Sequence, residues 1–199
     1  MKHQKKENKK PIYIFLHLPK NGGTSFVANL RKKIGEEKIC SSRSASKLSE
    51  KQKQKIFIIT GHETYYGVHK HFPNREPRYI LFIRNPAERR VSQYNHDIAR
   101  LNENKETMKQ ISFKKWYKQQ INDEQVFLLN KKFKGIPGRK APNFTNNFIT
   151  KFRVGNLKFL KMLGFKLLKI FYSKRNKKQE FENAKSLIDK CWFVTTTDN

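Results

Sequence analysis

Cysteine, acidic residues and long apolar runs are all scarce in this sequence, and each shortage excludes a class of protein. The chain has 2 cysteines, Cys40 and Cys191, so it can form neither a disulfide framework nor a four-cysteine zinc site. No stretch approaches the roughly 18 consecutive apolar residues of a membrane-spanning helix. Residues 1–10 also lack the apolar centre of a signal peptide. We therefore expect a reduced, cytoplasmic protein without a membrane span.

The shortage of acid leaves a large positive charge. Lys and Arg number 44 against 16 Asp and Glu, which gives a formal net charge of +28 over 199 residues. Such a field attracts polyanions of any kind, whether nucleic acid, anionic lipid or a sulfated or phosphorylated substrate, and does not select among them. By length and composition we expect one domain over residues 11–199, preceded by a disordered basic tail over residues 1–10.

Short apolar runs alternate with stretches of helical spacing. The runs predict strands over residues 12–18, 56–60, 79–83 and 192–197. Helices are predicted to begin near residue 24, after Pro86 and after Ser112, with another over residues 183–191. Residues 40–55 are polar and predict a connection with at most a short helix. Strands that alternate with helices predict an α/β fold with a short central parallel sheet.

A glycine-containing loop links the first predicted strand to the first predicted helix. It runs Leu18-Pro19-Lys20-Asn21-Gly22-Gly23-Thr24-Ser25. The free N–H groups and the dipole of a helix start favour a bound phosphate, and Lys20 and the two hydroxyls add donors. A Walker A loop has its lysine after the glycines, whereas Lys20 precedes them. A purely structural Gly-Gly turn is the alternative.

A second basic segment follows the strand predicted over residues 79–83. It runs Arg84-Asn85-Pro86-Ala87-Glu88-Arg89-Arg90-Val91-Ser92. Arg84 comes at the carboxyl end of a buried strand, where open α/β sheets place ligands. Ser92 lies one to two turns into the next helix, so both side chains can reach one phosphate. Either residue alone would be unremarkable.

Together the two segments resemble the donor-binding motifs of sulfotransferases that use 3′-phosphoadenosine-5′-phosphosulfate (PAPS). His17–Ser25 resembles the 5′-phosphosulfate loop of the carbohydrate branch, His-x-Pro-Lys-x-Gly-Gly-Thr-Ser. The segment from Arg84 to Ser92 resembles the 3′-phosphate motif, Arg-(Asp/Asn)-Pro-x-x-Arg-x-x-Ser. The branch is that of heparan sulfate 2-O-sulfotransferase-like enzymes, sulfotransferase family 2. The resemblance implies a P-loop-like, three-layer α/β/α fold. It also implies a donor site made of Lys20, Asn21, Gly22, Gly23, Thr24, Ser25, Arg84 and Ser92.

The segment after the second predicted strand, Thr60-Gly61-His62-Glu63, resembles the family's element that carries the catalytic base. The resemblance implies that Lys20 and His62 are the catalytic residues. A histidine titrates near neutral pH, which suits removal of a hydroxyl proton. Glu63 is the rival base, and a structural His62 that only bonds a carbonyl is the alternative. The histidines have no acidic or cysteine partners at ligand spacing, so no metal is expected.

Resemblance weakens toward the carboxyl end. Residues 141–149 resemble a segment near the nucleotide site, and residues 184–197 the closing helix and strand of the family. Relatives continue through further helices, which predicts a shortened member. Residues 155–178 have no counterpart and predict a basic amphipathic helical insertion. Its apolar stripe packs either on the protein's own core or on an anionic membrane surface.

The resemblance implies in-line transfer of a sulfuryl group from PAPS to a saccharide or glycolipid hydroxyl, without a metal and without a specific nucleic-acid partner. Two other functions stay open. A P-loop phosphotransferase would use the same strand, loop and helix, although the Gly-Lys-Ser/Thr order is missing. A non-catalytic binder of nucleotides, polyanions or membrane surfaces would explain the charge, although not two phosphate motifs in order.

Overall fold

The chain folds around a five-stranded parallel sheet in a computed structural model, which describes residues 9–103, 112–118, 120, 124–134 and 175–197. The strands are β1 (Pro11–Phe15), β2 (Ile39–Ser41), β3 (Ile58–Thr60), β4 (Glu76–Ile83) and β5 (Phe193–Thr196). Their order in the sheet is β2-β3-β1-β4-β5, and all four pairings are parallel. The predicted α/β class with a P-loop-like, helix-flanked parallel sheet is therefore confirmed.

Helices connect these strands and cover the sheet. They are α1 (Gly23–Ile34), α2 (Glu50–Lys55), α3 (Pro86–Glu103), α4 (Phe113–Tyr117), α5 (Glu124–Phe133) and α6 (Lys177–Asp189). Helix α3 begins at Pro86 as predicted, because the fixed φ of proline suits a first helical position. Helix α6 begins earlier than predicted, because the side chain of Asn176 accepts a hydrogen bond from the Gln179 backbone N–H.

The core lies on both faces of the sheet. On one face, Phe15 and Ile58 pack with Val27 of α1. On the other face, the larger cluster joins alternate strand residues such as Ile14 and Leu81 to helices α5 and α6. The central strands β1 and β3 are buried or half-buried on both faces because crossover helices cover a parallel sheet on both sides.

Two elements were missed in the sequence. Strand β2 lies in the stretch predicted as a polar connection; only Cys40 of its three residues is buried, and pairing with β3 supplies its hydrogen bonds. Helix α5 was missed because Glu124, Asn130 and Lys132 are buried in it, which breaks the expected apolar stripe. Helix α2 is the short helix expected in the connection.

Several other predictions fall wholly or mainly outside the described residues. These are residues 1–8 of the basic tail, the segment 141–149 and the insertion 155–178 up to residue 174. The end of the tail is attached to the sheet, since the Lys10 carbonyl accepts hydrogen bonds from the Glu76 backbone N–H and the Arg75 guanidinium. Within the described part of the chain, no helix is long and apolar enough to cross a membrane.

Candidate active site

The two motifs meet at the carboxyl edge of the sheet, where β1 and β4 lie side by side. The connection from β1 leads toward the β2 edge, whereas that from β4 leads toward β5. Such a reversal opens a crevice between neighbouring strands, and open α/β sheets bind ligands there. The loop over residues 17–22 and the start of α3 border this crevice, so the fold explains why they lie together.

The loop after β1 has the backbone of an anion-binding turn. Lys20 and Gly22 have φ of 66° and 71°, in the left-handed region, while Asn21 between them does not. When successive residues alternate between right- and left-handed backbone conformations, their N–H groups point toward one centre and form a concave site for an anion. Gly22 is the N-cap of α1 and no side chain caps this helix. The first N–H groups of α1, with Thr24 and Ser25 exposed beside them, are therefore available to a ligand.

Asn21 connects this loop to the second motif. Its side chain is buried, and its Nδ2 donates to the Phe82 carbonyl at 2.9 Å and to Gln125 Oε1 at 3.1 Å. The Gln125 amide in turn donates to the Arg84 carbonyl at 2.8 Å. The Asn21 side chain therefore positions the loop, and only its backbone N–H remains for the ligand contact predicted from the sequence.

Arg89 makes a second connection between the loop and the second motif. This buried guanidinium donates through Nε to the Pro19 carbonyl at 3.1 Å and through Nη1 to Glu124 at 2.7 Å. Arg90 also donates to Glu124, at 2.8 Å. A buried arginine needs a carboxylate to compensate its charge. The fork of Arg89 therefore fixes the anion loop relative to α3 and α5.

Arg84 and Ser92 lie on the same side of α3. Arg84 Nε donates to Glu88 at 3.2 Å, and Ser92 follows Glu88 by four residues, one helical turn further on. Ser92 is half-buried. The guanidinium of Arg84 thus lies at the first turn of the helix face that carries Ser92.

Lys20 lies within electrostatic reach of this cluster. Its pKa is lowered, mainly by burial and further by the charges of Arg84 and Arg89, while the Asp97 carboxylate raises it. Residues more than 60 positions apart in the sequence therefore form one positive site. A concentration of like charge costs folding free energy unless a bound anion offsets it.

His17 and His62 form a pair of rings at the other side of the loop. Their ring centroids lie 4.1 Å apart. His17 is buried, and burial, with the charges of His62 and Lys132, lowers its pKa from 6.5 to about 3. A Cβ on Gly23 would lie 2.3 Å from His17 Cδ2, so the glycine leaves the space that the ring occupies. His17 is therefore neutral at physiological pH, while His62 is exposed.

The backbone around His62 is held by a buried lysine that the sequence did not reveal. Lys132 of α5 donates from Nζ to the Thr64 carbonyl at 2.6 Å and to the His62 carbonyl at 3.2 Å. Burial lowers the pKa of Lys132 to about 7. Glu63, the rival base, is paired with the Arg43 guanidinium through both carboxylate oxygens. The carboxylate of Glu63 is thus already engaged by an arginine.

The structure brings together most of the residues predicted from the sequence. The loop and the helix start contain Lys20, Gly22, Gly23, Thr24 and Ser25. Arg84 lies between β4 and α3, Ser92 lies on α3 one turn after Glu88, and the His62 ring lies beside His17. The residues missed are Arg89 as a connector, Glu124, Gln125 and Lys132. The last three belong to the undetected helix α5, and no local sequence pattern marked them because their polar side chains interrupt its apolar stripe.

A crevice at the strand reversal, a glycine-containing loop at a helix start and a basic cluster lie together at one edge of a P-loop-like sheet. A family model described as the Sulfotransferase family matches residues 8–164, well over half of the chain. The chain belongs to the sulfotransferase family, and this membership supports sulfuryl transfer in general. A search of curated proteins found no match to the chain.

The described residues contain no group of three or more His, Cys, Asp or Glu side chains placed to hold a metal ion. The lysine and arginine side chains, the hydroxyls and the backbone N–H groups at the crevice are donors. Such donors suit phosphate and sulfate oxygens.

Proposed function

We propose that this chain transfers the sulfuryl group of PAPS to a hydroxyl of a carbohydrate-type acceptor. The observation that carries the proposal is the meeting of the anion loop with the Arg84–Ser92 segment at one crevice, with Lys20 within electrostatic reach of Arg84. Two basic segments that meet in one site suit a donor that has a 5′-phosphosulfate and a 3′-phosphate.

Each segment has its part in holding the donor. The N–H groups at the start of α1 hold the 5′-phosphate, and Lys20 neutralises charge on its oxygens. Arg84 and Ser92 hold the 3′-phosphate, which distinguishes PAPS from ATP-like nucleotides. The connections through Asn21 and Arg89 set the separation of the two segments before any ligand arrives. Preorganisation of this kind lowers the cost of binding.

The transfer itself is an in-line displacement at sulfur. The acceptor oxygen forms a new bond to sulfur, the bond from sulfur to the phosphate oxygen breaks, and its electron pair stays on the phosphate. His62 takes the proton of the acceptor hydroxyl. Because His17 beside it is neutral, the imidazolium formed on His62 meets no second positive ring. Lys20 stabilises the charge that develops on the departing phosphate.

Binding of adenosine 3′,5′-bisphosphate, the product half of the donor, tests the donor site. We expect millimolar bisphosphate to raise the melting temperature of the full chain by several degrees, since a ligand stabilises the state that binds it. The Arg84→Ala variant should lose most of this shift, while adenosine 5′-monophosphate should give a much smaller shift with the wild type. Absence of a shift with the bisphosphate would remove the donor site and with it the proposed function.

His62 is tested by separating rate from binding. We expect His62→Ala to keep the bisphosphate-induced shift and to lower the transfer of labelled sulfate from PAPS on the order of 10²-fold or more. Equal losses of binding and rate would contradict the assignment of His62 as the base.

A further inference from the structure

A cavity of about 350 Å³ lies next to the anion loop, on the side away from Arg84. It opens between α1 and the carboxyl ends of β2 and β3. Its lining consists of His17, Thr24, Val27, Arg31, Glu36, Ile39, Cys40, Ser41, Thr60, Gly61 and His62. Its volume is at the small end of the range that ligand pockets have.

Two of these residues link the cavity to the proposed chemistry. Thr24 belongs to the first turn of α1, at the proposed 5′-phosphosulfate site, and His62 is the proposed base. A compound in the cavity therefore lies between the group that leaves and the group that removes a proton. In-line transfer needs its acceptor in that position.

The charges at the cavity cancel. Arg31 is the one arginine among the described residues that line the cavity, and its Nε lies 2.6 Å from the Glu36 carboxylate, which also lines the cavity. His17 is neutral, since burial lowers its pKa to about 3. Arg43, two positions after Ser41 in the chain, is paired with Glu63. Among the lining residues that the structure describes, Arg31 could bind a carboxylate or sulfate on an acceptor only by losing its own partner.

We propose that this cavity is the acceptor subsite and that it takes an uncharged, hydroxyl-rich compound of about one sugar ring. This inference rests on the proposed function and narrows its substrate class to neutral saccharides. Val27 and Ile39 offer apolar surface to the C–H face of a ring, and the Ser41 and Thr24 hydroxyls offer polar contacts.

The net charge of +28 does not oppose a neutral acceptor. The field of distant surface charges falls off within about 10 Å at 0.1 M salt, whereas ion pairs on the lining act at contact distance. The overall charge draws the anionic donor toward the protein, and the local pairs decide what enters the cavity.

A matched pair of ligands tests the charge preference. Methyl glucoside and methyl glucuronide differ by one carboxylate, and each is titrated by calorimetry into the full chain saturated with adenosine 3′,5′-bisphosphate. We expect the glucoside to bind at least about threefold more tightly, an effect of the size that exposed ion pairs produce. Labelled PAPS should then transfer sulfate to the glucoside in preference to the glucuronide.

Glu36→Gln removes the carboxylate that neutralises Arg31. This variant should gain affinity for the glucuronide on the order of two- to fivefold, so that the ratio of glucuronide to glucoside affinity rises. The control is Glu76→Gln, which removes the partner of Arg78 on β4, a residue outside the cavity. The control should keep the wild-type preference.

A blocking variant tests the location. Ser41→Phe places a ring into the cavity, whereas the control Ser46→Phe alters an exposed serine that does not line it. We expect Ser41→Phe alone to abolish glycoside binding while both variants keep the bisphosphate-induced melting shift. A wild type that prefers the glucuronide, or that binds neither glycoside while the bisphosphate shift persists, would overturn this inference and leave the donor proposal standing.

Discussion

Among individual residues, Lys20 has the most unusual backbone. It is the one non-glycine residue with positive φ in the described part of the chain. A side chain in the left-handed region costs roughly 1–2 kcal/mol, and glycine would avoid that cost. The strain at Lys20, close to several arginines, indicates that a lysine occurs at this position for the charge of its side chain and not for stability.

Lys20→Gly should therefore separate stability from activity. Relief of the strained backbone offsets the greater freedom of glycine in the unfolded chain, so we expect a melting temperature equal to or above that of the wild type. Sulfate transfer should fall on the order of 10²-fold or more, because the charge on the departing phosphate loses its partner. A clear drop in melting temperature, measured by calorimetry, would argue that the lysine has a structural role instead.

The neutral His17 ring makes the stability of the protein depend on pH. The pKa of His17 is 6.5 in the unfolded chain and about 3 in the folded protein. Between pH 3 and pH 6.5 the unfolded chain therefore binds a proton at His17 that the folded protein does not bind. The stabilising contribution is present above pH 6.5 and is lost as pH falls toward 3, with a slope of up to about 1.4 kcal/mol per pH unit.

His17→Gln should flatten this dependence. We expect its free energy of unfolding, measured by urea titration from pH 6.5 down to 4, to fall less steeply than that of the wild type. His71→Gln, which lies outside the ring pair, serves as the control and should keep the wild-type slope. Identical slopes in all three proteins would show that His17 is not the group responsible.

At the scale of elements, α5 supports the site although it carries none of the residues that we expect to touch the donor. Its Gln125 joins Asn21 to Arg84, its Glu124 compensates Arg89, and its Lys132 holds the loop of His62. One helix thus positions both the donor loop and the proposed base. Changes in α5 should alter activity without direct loss of a ligand contact.

Lys132→Met tests this role. The carbonyls of His62 and Thr64 lose their donor, so we expect kcat to fall about tenfold or more from misplacement of the base, with the bisphosphate-induced melting shift unchanged. The control is Lys131→Met, because the ammonium group of Lys131 lies over the Phe127 ring in the wild type. Because burial lowers the pKa of Lys132 to about 7, stability of the wild type should rise with pH between about 7 and 10.5, and the variant should lose this rise. An unchanged kcat would refute the positioning role.

At the scale of the whole molecule, the charge of +28 provides long-range attraction for anions, while the crevice provides selection. These two contributions respond differently to salt. A polyanion releases many counterions when it binds a basic surface, so its affinity falls steeply with salt. A small bisphosphate held by a few fixed donors depends on salt more weakly.

We therefore expect the dissociation constants of heparin and of adenosine 3′,5′-bisphosphate to diverge between 50 and 500 mM NaCl. Affinity for heparin should fall with a slope several-fold steeper on a double-logarithmic plot. Binding of heparin without binding of the bisphosphate would favour the alternative of a non-catalytic polyanion binder.

Prediction from the sequence succeeded where a feature is local. The strand–loop–helix around Lys20 and the helix start at Pro86 depend on neighbouring residues, and both lie where the pattern placed them. Strand β2 and helix α5 were missed because partners distant in sequence stabilise them: β3 supplies the hydrogen bonds of β2, and Arg89 compensates Glu124 in α5. Tertiary context commonly overrides local preference in this way.

By itself the sequence determined the family, the α/β class and the two anion-binding segments, because apolar periodicity and short motifs are properties of contiguous residues. Only the tertiary structure decided that Asn21 faces inward, that His17 is neutral beside His62 and that Lys132 holds the loop of the proposed base. The reason is physical. Burial and charge–charge distances arise between residues that the fold alone brings together, so no local pattern contains them.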